Sequence, residues 1–136
     1  MRDETLVAAR VLVMISIGVL FMMQAVSAQA PSTGKASWYG EQHRGKLMAN
    51  GKPFDPDKLT AASWFYPLGT KVRVTLLEEK GKSRSVLVTI TDRGPARNLV
   101  EEGRIIDLSH ATFRKLAHPD LGLVDVKVRR VRRLNS

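Results

Sequence analysis

Two alternating segments constrain this chain most. In Lys71-Val72-Arg73-Val74-Thr75-Leu76, residues Val72, Val74 and Leu76 share one face. In Ser85-Val86-Leu87-Val88-Thr89-Ile90-Thr91-Asp92, residues Val86, Val88 and Ile90 do the same. A period of two marks half-buried β-strands. Glu78 to Lys82 lies between them, and Gly81 tolerates positive φ, so a hairpin is expected. Lys35 to Gly40 is a compact strand candidate closed by glycine, Arg104 to Leu108 is a short apolar strand, and Val124, Val126 and Val128 mark a last alternating one. Ser109 can cap a helix from His110 to about Ala117 by accepting an orphan backbone N–H, and Pro119 and Gly122 end it. From Glu41 to Pro67 neither period is sustained, and Gly45, Gly51, Pro53, Pro56 and Pro67 punctuate the segment. A long irregular stretch in a compact domain usually carries function. Five or six short strands with one short helix predict a closed or nearly closed β-barrel.

The first thirty residues stand apart from that domain. Arg2 and Arg10 flank a polar start, Val11 to Met23 is almost unbroken apolar sequence, and small residues follow at Val26-Ser27-Ala28 and Ala28-Gln29-Ala30. This is the layout of a secretory signal peptide cleaved after Ala28 or Ala30. The alternative is a retained anchor, for which the apolar run falls short of the roughly 20 residues a spanning helix needs. Residues 31–136 then form one domain with one small core. The chain has no cysteine, so an exported domain of this kind must hold together by packing. Thiol catalysis, cysteine-based metal sites and a lipid-modified cysteine are excluded with it.

After Ala30 there are 20 Lys and Arg against 11 Asp and Glu, a net charge of +9. Such a balance favours polyanionic partners. Export turns the expectation from nucleic acid to cell-wall polymers or anionic lipid. Part of the charge lies in Arg129-Arg130-Val131-Arg132-Arg133, whose plainest reading is a solvated tail.

Asp92 ends the second alternating strand, in Thr91-Asp92-Arg93-Gly94-Pro95. Counting back by twos, it shares a face with Ile90, Val88 and Val86 and is expected to point inward at the barrel mouth. A carboxyl at the rim of an apolar face is partly desolvated, a condition suited to a general acid. Its structural alternative is a turn before Gly94-Pro95, a common use of aspartate. His43, His110 and His118 are too scattered for a metal site, and His110 and His118 lack the i, i+4 spacing that brings two ligands together. No metal and no cofactor is expected.

Six ordered motifs resemble the rare lipoprotein A (RlpA-like) family. They are Gly34-Lys35-Ala36-Ser37-Trp38-Tyr39-Gly40, Met48-Ala49-Asn50-Gly51-Lys52-Pro53-Phe54-Asp55, Leu59-Thr60-Ala61-Ala62, Pro67-Leu68-Gly69-Thr70-Lys71-Val72-Arg73-Val74, Thr91-Asp92-Arg93-Gly94-Pro95 and Arg104-Ile105-Ile106-Asp107-Leu108-Ser109. The resemblance implies a mainly β fold, a six-stranded double-psi β-barrel with one or two short helices. It also implies an exported, periplasmic or envelope-associated endolytic lytic transglycosylase acting on peptidoglycan glycan strands that lack stem peptides. The expected partners are those strands and, for recruitment, proteins of cell division or wall synthesis. No nucleic acid is expected, and the protein is expected to be a monomer. A different class, an expansin-like module that binds or loosens the wall without cleaving it, shares the barrel, and a barrel alone does not fix function.

A lytic transglycosylase needs less than an ordinary glycosidase. The muramic acid C6 hydroxyl attacks C1 from within the substrate, so one acid/base residue can suffice. On this reading Asp92 is the catalytic acid and Asp55, on the irregular segment, a supporting carboxylate. Asp55 can equally cap the Pro56-Asp57 turn. Trp38, Tyr39 and Trp64 can stack on sugar rings, with barrel-end packing as the alternative, and Asn50, Ser63 and Arg93 complete the expected substrate contacts. Asp107, in an apolar strand, is expected to tie down a loop. Two positions depart from the family pattern: Lys52 stands where glutamate is common, and Ser63 where histidine is usual. A supporting role then falls to Ser63 or a neighbour. His43, on the first loop, is expected to face solvent.

Overall fold

The computed structural model describes residues 29–78 and 83–132. The proposed signal peptide up to Ala28, the Gly81 turn and Arg133 lie outside the described residues. Six strands are present: β1 (Thr33–Tyr39), β2 (Thr60–Ala62), β3 (Lys71–Leu76), β4 (Ser85–Asp92), β5 (Arg104–Ser109) and β6 (Val124–Arg130). Helix α1 (Arg97–Glu101) precedes β5 and α2 (His110–Leu116) follows it, and short 3-10 turns cover Glu41–His43 and Pro119–Leu121.

The strands close into a barrel in the order β1-β5-β2-β4-β3-β6. The β1/β5 and β2/β4 pairs are parallel and the other four antiparallel. This is the expected six-stranded double-psi β-barrel. Alternation fills its interior: Val72, Val74, Val88, Ile90, Ile106, Leu108 and Val126 are essentially inaccessible to solvent. Phe113 and Leu116 of α2 pack into the same cluster. Ser109 caps α2, its hydroxyl accepting from Thr112 N–H at 3.3 Å and donating to the Lys58 carbonyl at 2.6 Å. Complete burial of one such apolar side chain stabilises by roughly 1.5–3 kcal/mol. These residues therefore outweigh any single polar contact in holding the barrel.

Two elements gave no sequence signal. Strand β2 has only three residues, two of them alanine, too short to show a period, yet it is paired on both sides, with β4 and β5. Helix α1 buries no residue and has no side-chain cap, so neither periodicity nor a capping motif marks it.

Candidate active site

Strand β4 carries an extra residue where it meets β2. Ala61 pairs with Ile90, but Ala62 pairs with Asp92, leaving Thr91 as a bulge. The bulge resets strand parity. Asp92 therefore shares the outward face of Ala62 rather than the interior face of Ile90, which corrects the inward orientation expected from alternation. Both bulge residues turn to the loop at Met48. Thr91 Oγ1 donates to Met48 Sδ at 3.3 Å, and Asp92 Oδ1 accepts from Ala49 N–H at 2.9 Å and from Arg93 N–H at 2.8 Å. Asn50 N–H closes the contact on the Thr91 carbonyl at 3.2 Å. Asp92 is half-buried, and these bonds fix its orientation through one oxygen while Oδ2 takes no part in them.

A second carboxyl lies in the same row. Ala62 pairs on its other side with Asp107, and Asp107 pairs across β5/β1 with Ser37. Ser37, Asp107, Ala62 and Asp92 thus cross four neighbouring strands on the outer face, with the two aspartates two strand spacings, about 10 Å, apart at Cα. Ser37 Oγ donates to Asp107 Oδ1. A Cβ at position 94 would stand 3.2 Å from Asp107 Oδ2 and 3.4 Å from the Ala62 Cβ. Glycine there lets the Arg93–Pro95 chain pass over the carboxyl. Burial holds the Asp107 carboxyl above the usual aspartate range; the Ser37 hydrogen bond and Arg104 pull the other way, while Asp92 adds to the rise. Asp107 thus bonds a neighbouring strand where a loop was the expected partner, and it also belongs to the Asp92 site, a proximity created by β2, the strand the sequence did not disclose.

Tyr39 completes the cluster. Its ring stacks on Phe54 at 4.2 Å and meets the edge of His43 at 5.6 Å. Its hydroxyl is buried without a hydrogen-bond partner. Burial above all, then the charges of Asp92 and Asp107, push its ionisation well above the ordinary tyrosine range. Phe54 covers one face of the half-buried ring. His43 is exposed, as expected, but its charge is felt at Asp107.

The other candidates are placed as follows. Asp55 Oδ1 accepts from Asp57 N–H at 2.9 Å, and Arg44 reaches Asp55, Asp57 and Glu41. Asp55 thus makes the turn that was its alternative role and sits in an ion cluster with no contact to Asp92. Ser63 is fully buried; its hydroxyl donates to the Ile105 carbonyl and accepts from Phe65 N–H, both at 3.2 Å. Arg93 Nη1 donates to the carbonyls of Ser63 and Tyr66 at 2.7 and 2.6 Å. Both residues brace the 63–66 loop: the Ser63 hydroxyl is enclosed, and the half-buried Arg93 commits Nη1 to two carbonyls. Trp38 bonds the Pro119 carbonyl through Nε1 at 3.0 Å and packs on His110 and Phe113, the barrel-end role. Trp64 remains 42% exposed, with its Nε1 on the Pro95 carbonyl at 2.6 Å and Arg97 over its ring at 4.7 Å. Asn50 is exposed, its Oδ1 accepting from Lys52 N–H at 3.0 Å. Among the described residues no three His, Asp or Glu side chains come together as a metal site.

A half-buried aspartate beside one whose ionisation burial opposes, on the outside of a closed barrel, suits acid/base chemistry on a long polymer better than on an enclosed small molecule. Comparison with known families decides the kinship, since residues 31–128 match the lytic transglycolase family. The chain belongs to that family. It is 42% identical over 95 residues to the endolytic peptidoglycan transglycosylase RlpA of Pseudomonas aeruginosa, a match covering 70% of this chain and 26% of the relative. It is 38% identical over 96 residues to the protein of that name from Vibrio cholerae, covering 71% and 34% respectively. This family member thus spans about a quarter to a third of the length of these curated relatives. Among solved structures, Streptomyces papain inhibitor aligns with a TM-score of 0.55 at 30% identity, over 74% of this chain and 93% of the inhibitor. An expansin from Clavibacter michiganensis aligns with a TM-score of 0.56 at 24% identity, over 77% of this chain and 52% of the expansin. The expansin likeness is one of fold.

Proposed function

We propose that this protein is an endolytic peptidoglycan lytic transglycosylase that cleaves glycan strands lacking stem peptides and leaves 1,6-anhydromuramic ends. The single observation that carries the reading is the Ser37-Asp107-Ala62-Asp92 row, which places two carboxyls of unlike environment on the outer face of the barrel. Family membership and the names of the relatives give that row its substrate class. The signal-like start supports action in the cell envelope.

Asp92 is the residue that meets the substrate. Held by two N–H groups at Oδ1, it presents Oδ2 to the glycosidic oxygen and donates a proton as the C1–O bond breaks. The same oxygen then takes the proton of the muramic C6 hydroxyl as that oxygen bonds to C1, so the residue ends as it began. No water is consumed, and proximity within the sugar replaces a bound nucleophile. Asp107 lies beneath the Gly94 chain and acts on Asp92 through charge, taking the supporting role first assigned to Asp55. Burial opposes ionisation of Asp107, and so eases the repulsion that Asp92 meets when it gives up its own proton.

The second reading is a wall-binding module without turnover. Lys52 and the fully buried Ser63 favour it, because neither supplies an acid or an imidazole. Digestion of purified peptidoglycan, intact and stripped of stem peptides, followed by mass spectrometry for 1,6-anhydromuramic ends, separates the two. Such ends should appear, and Asp92→Asn should lower their rate by about 10²-fold or more. Sedimentation with the wall and no anhydro product at any pH or salt tried would leave the binding module standing.

A further inference from the structure

The outer surface around β3 and β6 carries a charge pattern that the fold itself does not favour. Arg73 and Arg129 are direct partners across the β3/β6 ladder, and like charges in such positions repel. Lys71, Arg130 and Arg132 are exposed beside them. None of these five has an acidic partner among the described residues, where the ion pairs are those of Lys35, Arg44 and His118. In the terminal run, whose Arg133 lies outside the described residues, Arg129 and Arg130 are exposed strand residues rather than part of a tail. Val131 N–H donates to the Lys71 carbonyl at 2.9 Å, which carries the β6 pairing beyond Arg130 and holds the arginines against the barrel.

Between the Pro67–Lys71 turn and Arg129–Arg132 lies a groove of about 1240 Å³, floored in part by exposed Leu68 and Val131. It opens at the same end of the barrel as the active site. Lys71 pairs with Thr89, three residues before Asp92, and Arg130 pairs with Val72. The loop connecting the two places begins at Ser63, whose N–H donates to the Asp92 carbonyl at 3.1 Å, passes the exposed Trp64, and ends as the groove wall. Strand geometry puts Lys71 on the order of 10 Å from Asp92 at Cα.

We infer that this basic groove is a second glycan subsite, which binds the lactyl carboxylates of muramic residues lying beyond the cleaved linkage. The inference rests on the peptidoglycan reading above. A muramic residue is anionic through its lactyl group only where no stem peptide is attached, because the peptide converts that carboxylate into an amide. Arg129, Arg130, Arg132 and Lys71 therefore read a carboxylate held directly on the sugar, which an attached peptide removes from that position, while Asp92 meets the same sugar backbone in both. Specificity is thereby placed away from the chemistry, where remote contacts hold the strand in register.

The test is a binding measurement, which needs no turnover. The purified full chain and its Arg129→Gln/Arg130→Gln/Arg132→Gln variant are titrated with peptide-free glycan strands and with the same strands after their carboxylates are converted to methylamides. The unaltered protein should bind the native strands about 10-fold more tightly than the amidated ones, with the difference shrinking as salt rises. The variant should bind both forms alike, at the weaker level, while Arg114→Gln/Lys115→Gln on α2 should behave as the unaltered protein. Equal binding of the two strand forms by the unaltered protein, or an undiminished preference in the variant, overturns the subsite. A loss seen only with phosphatidylglycerol vesicles also overturns it and makes the groove a membrane contact. Charge-dependent binding without anhydro products would remove the enzymatic reading and leave the subsite in place. Cleavage indifferent to amidation would do the reverse.

Discussion

On the β3, β4 and β6 side of the barrel, Val72, Val74, Val88, Val126 and Val128 take their places by alternation, all at 3% exposure or less. The segment from Glu41 to Pro67 has no such period and is pinned one polar contact at a time: Asp55 on Asp57 N–H, Arg44 on three carboxylates, Ser63 on Ile105, Arg93 on Ser63 and Tyr66. The first region draws its stability from many interchangeable apolar contacts. Apart from β2 and the buried Met48 and Phe54, the second depends on a few directional ones, each with one donor and one acceptor. Damage to the first should therefore appear as global unfolding. In the second it should appear as loss of local order and activity while the barrel survives.

The sharpest way to break this contrast begins in the core. Phe113→Ala removes the largest fully buried side chain and should lower unfolding stability by roughly 3–5 kcal/mol in urea titrations. Arg93→Ala removes two charge-assisted bonds to the 63–66 loop and should cost about 2 kcal/mol. Its main effect should be faster amide exchange confined to that loop and its neighbours, with β3 and β6 protected as before. If exchange rises evenly over the whole barrel, the two regions are not separately held.

Two smaller effects probe the site itself. Folded Asp107 keeps its proton to higher pH than it does in the unfolded chain, because burial raises it. Between the ordinary aspartate value and the raised one, the unfolded state binds fewer protons, so stability falls as pH rises through that window. Asp107→Asn should flatten this decline in thermal melts taken across acidic pH. The smallest effect expected is a gain. Tyr39→Phe removes a buried hydroxyl that has no partner, and should stabilise the fold by up to about 1 kcal/mol. A loss on that substitution would mean that the hydroxyl is satisfied in solution.

The two regions also differed in how far the sequence disclosed them. The bounds of β3 and β4 and the Ser109 cap follow from period and capping chemistry, and the structure reproduces them. Strand β2 could not be found that way, since Thr60-Ala61-Ala62 gains its strand character only from neighbours on either side. With β2 hidden, the meeting of Asp92 and Asp107 was hidden too, because Ala62 is the residue that joins their rows. Asp92 was identified by its motif, yet its orientation was misjudged, since nothing in Thr89-Ile90-Thr91-Asp92 announces a bulge. Trp64 and Asn50 remain exposed on loops bonded to Pro95 and Thr91, whereas Trp38, Ser63 and Arg93 are braces. Residue type alone cannot tell a brace from a ligand when both need the same donors.

The Thr91 bulge has a consequence for how such a site can arise or vanish. Because Thr91 is surplus to the β2/β4 pairing, Asp92 faces outward although it stands two residues after the inward-facing Ile90. Deleting Thr91 would put the acid next to Ile90, where strict alternation still turns it outward opposite Ala62. The deletion would take away a tether instead, since Thr91 holds Met48 through its hydroxyl and Asn50 through its carbonyl. A chain shorter by that one residue would keep the acid on the polymer side and lose the loop that aims it.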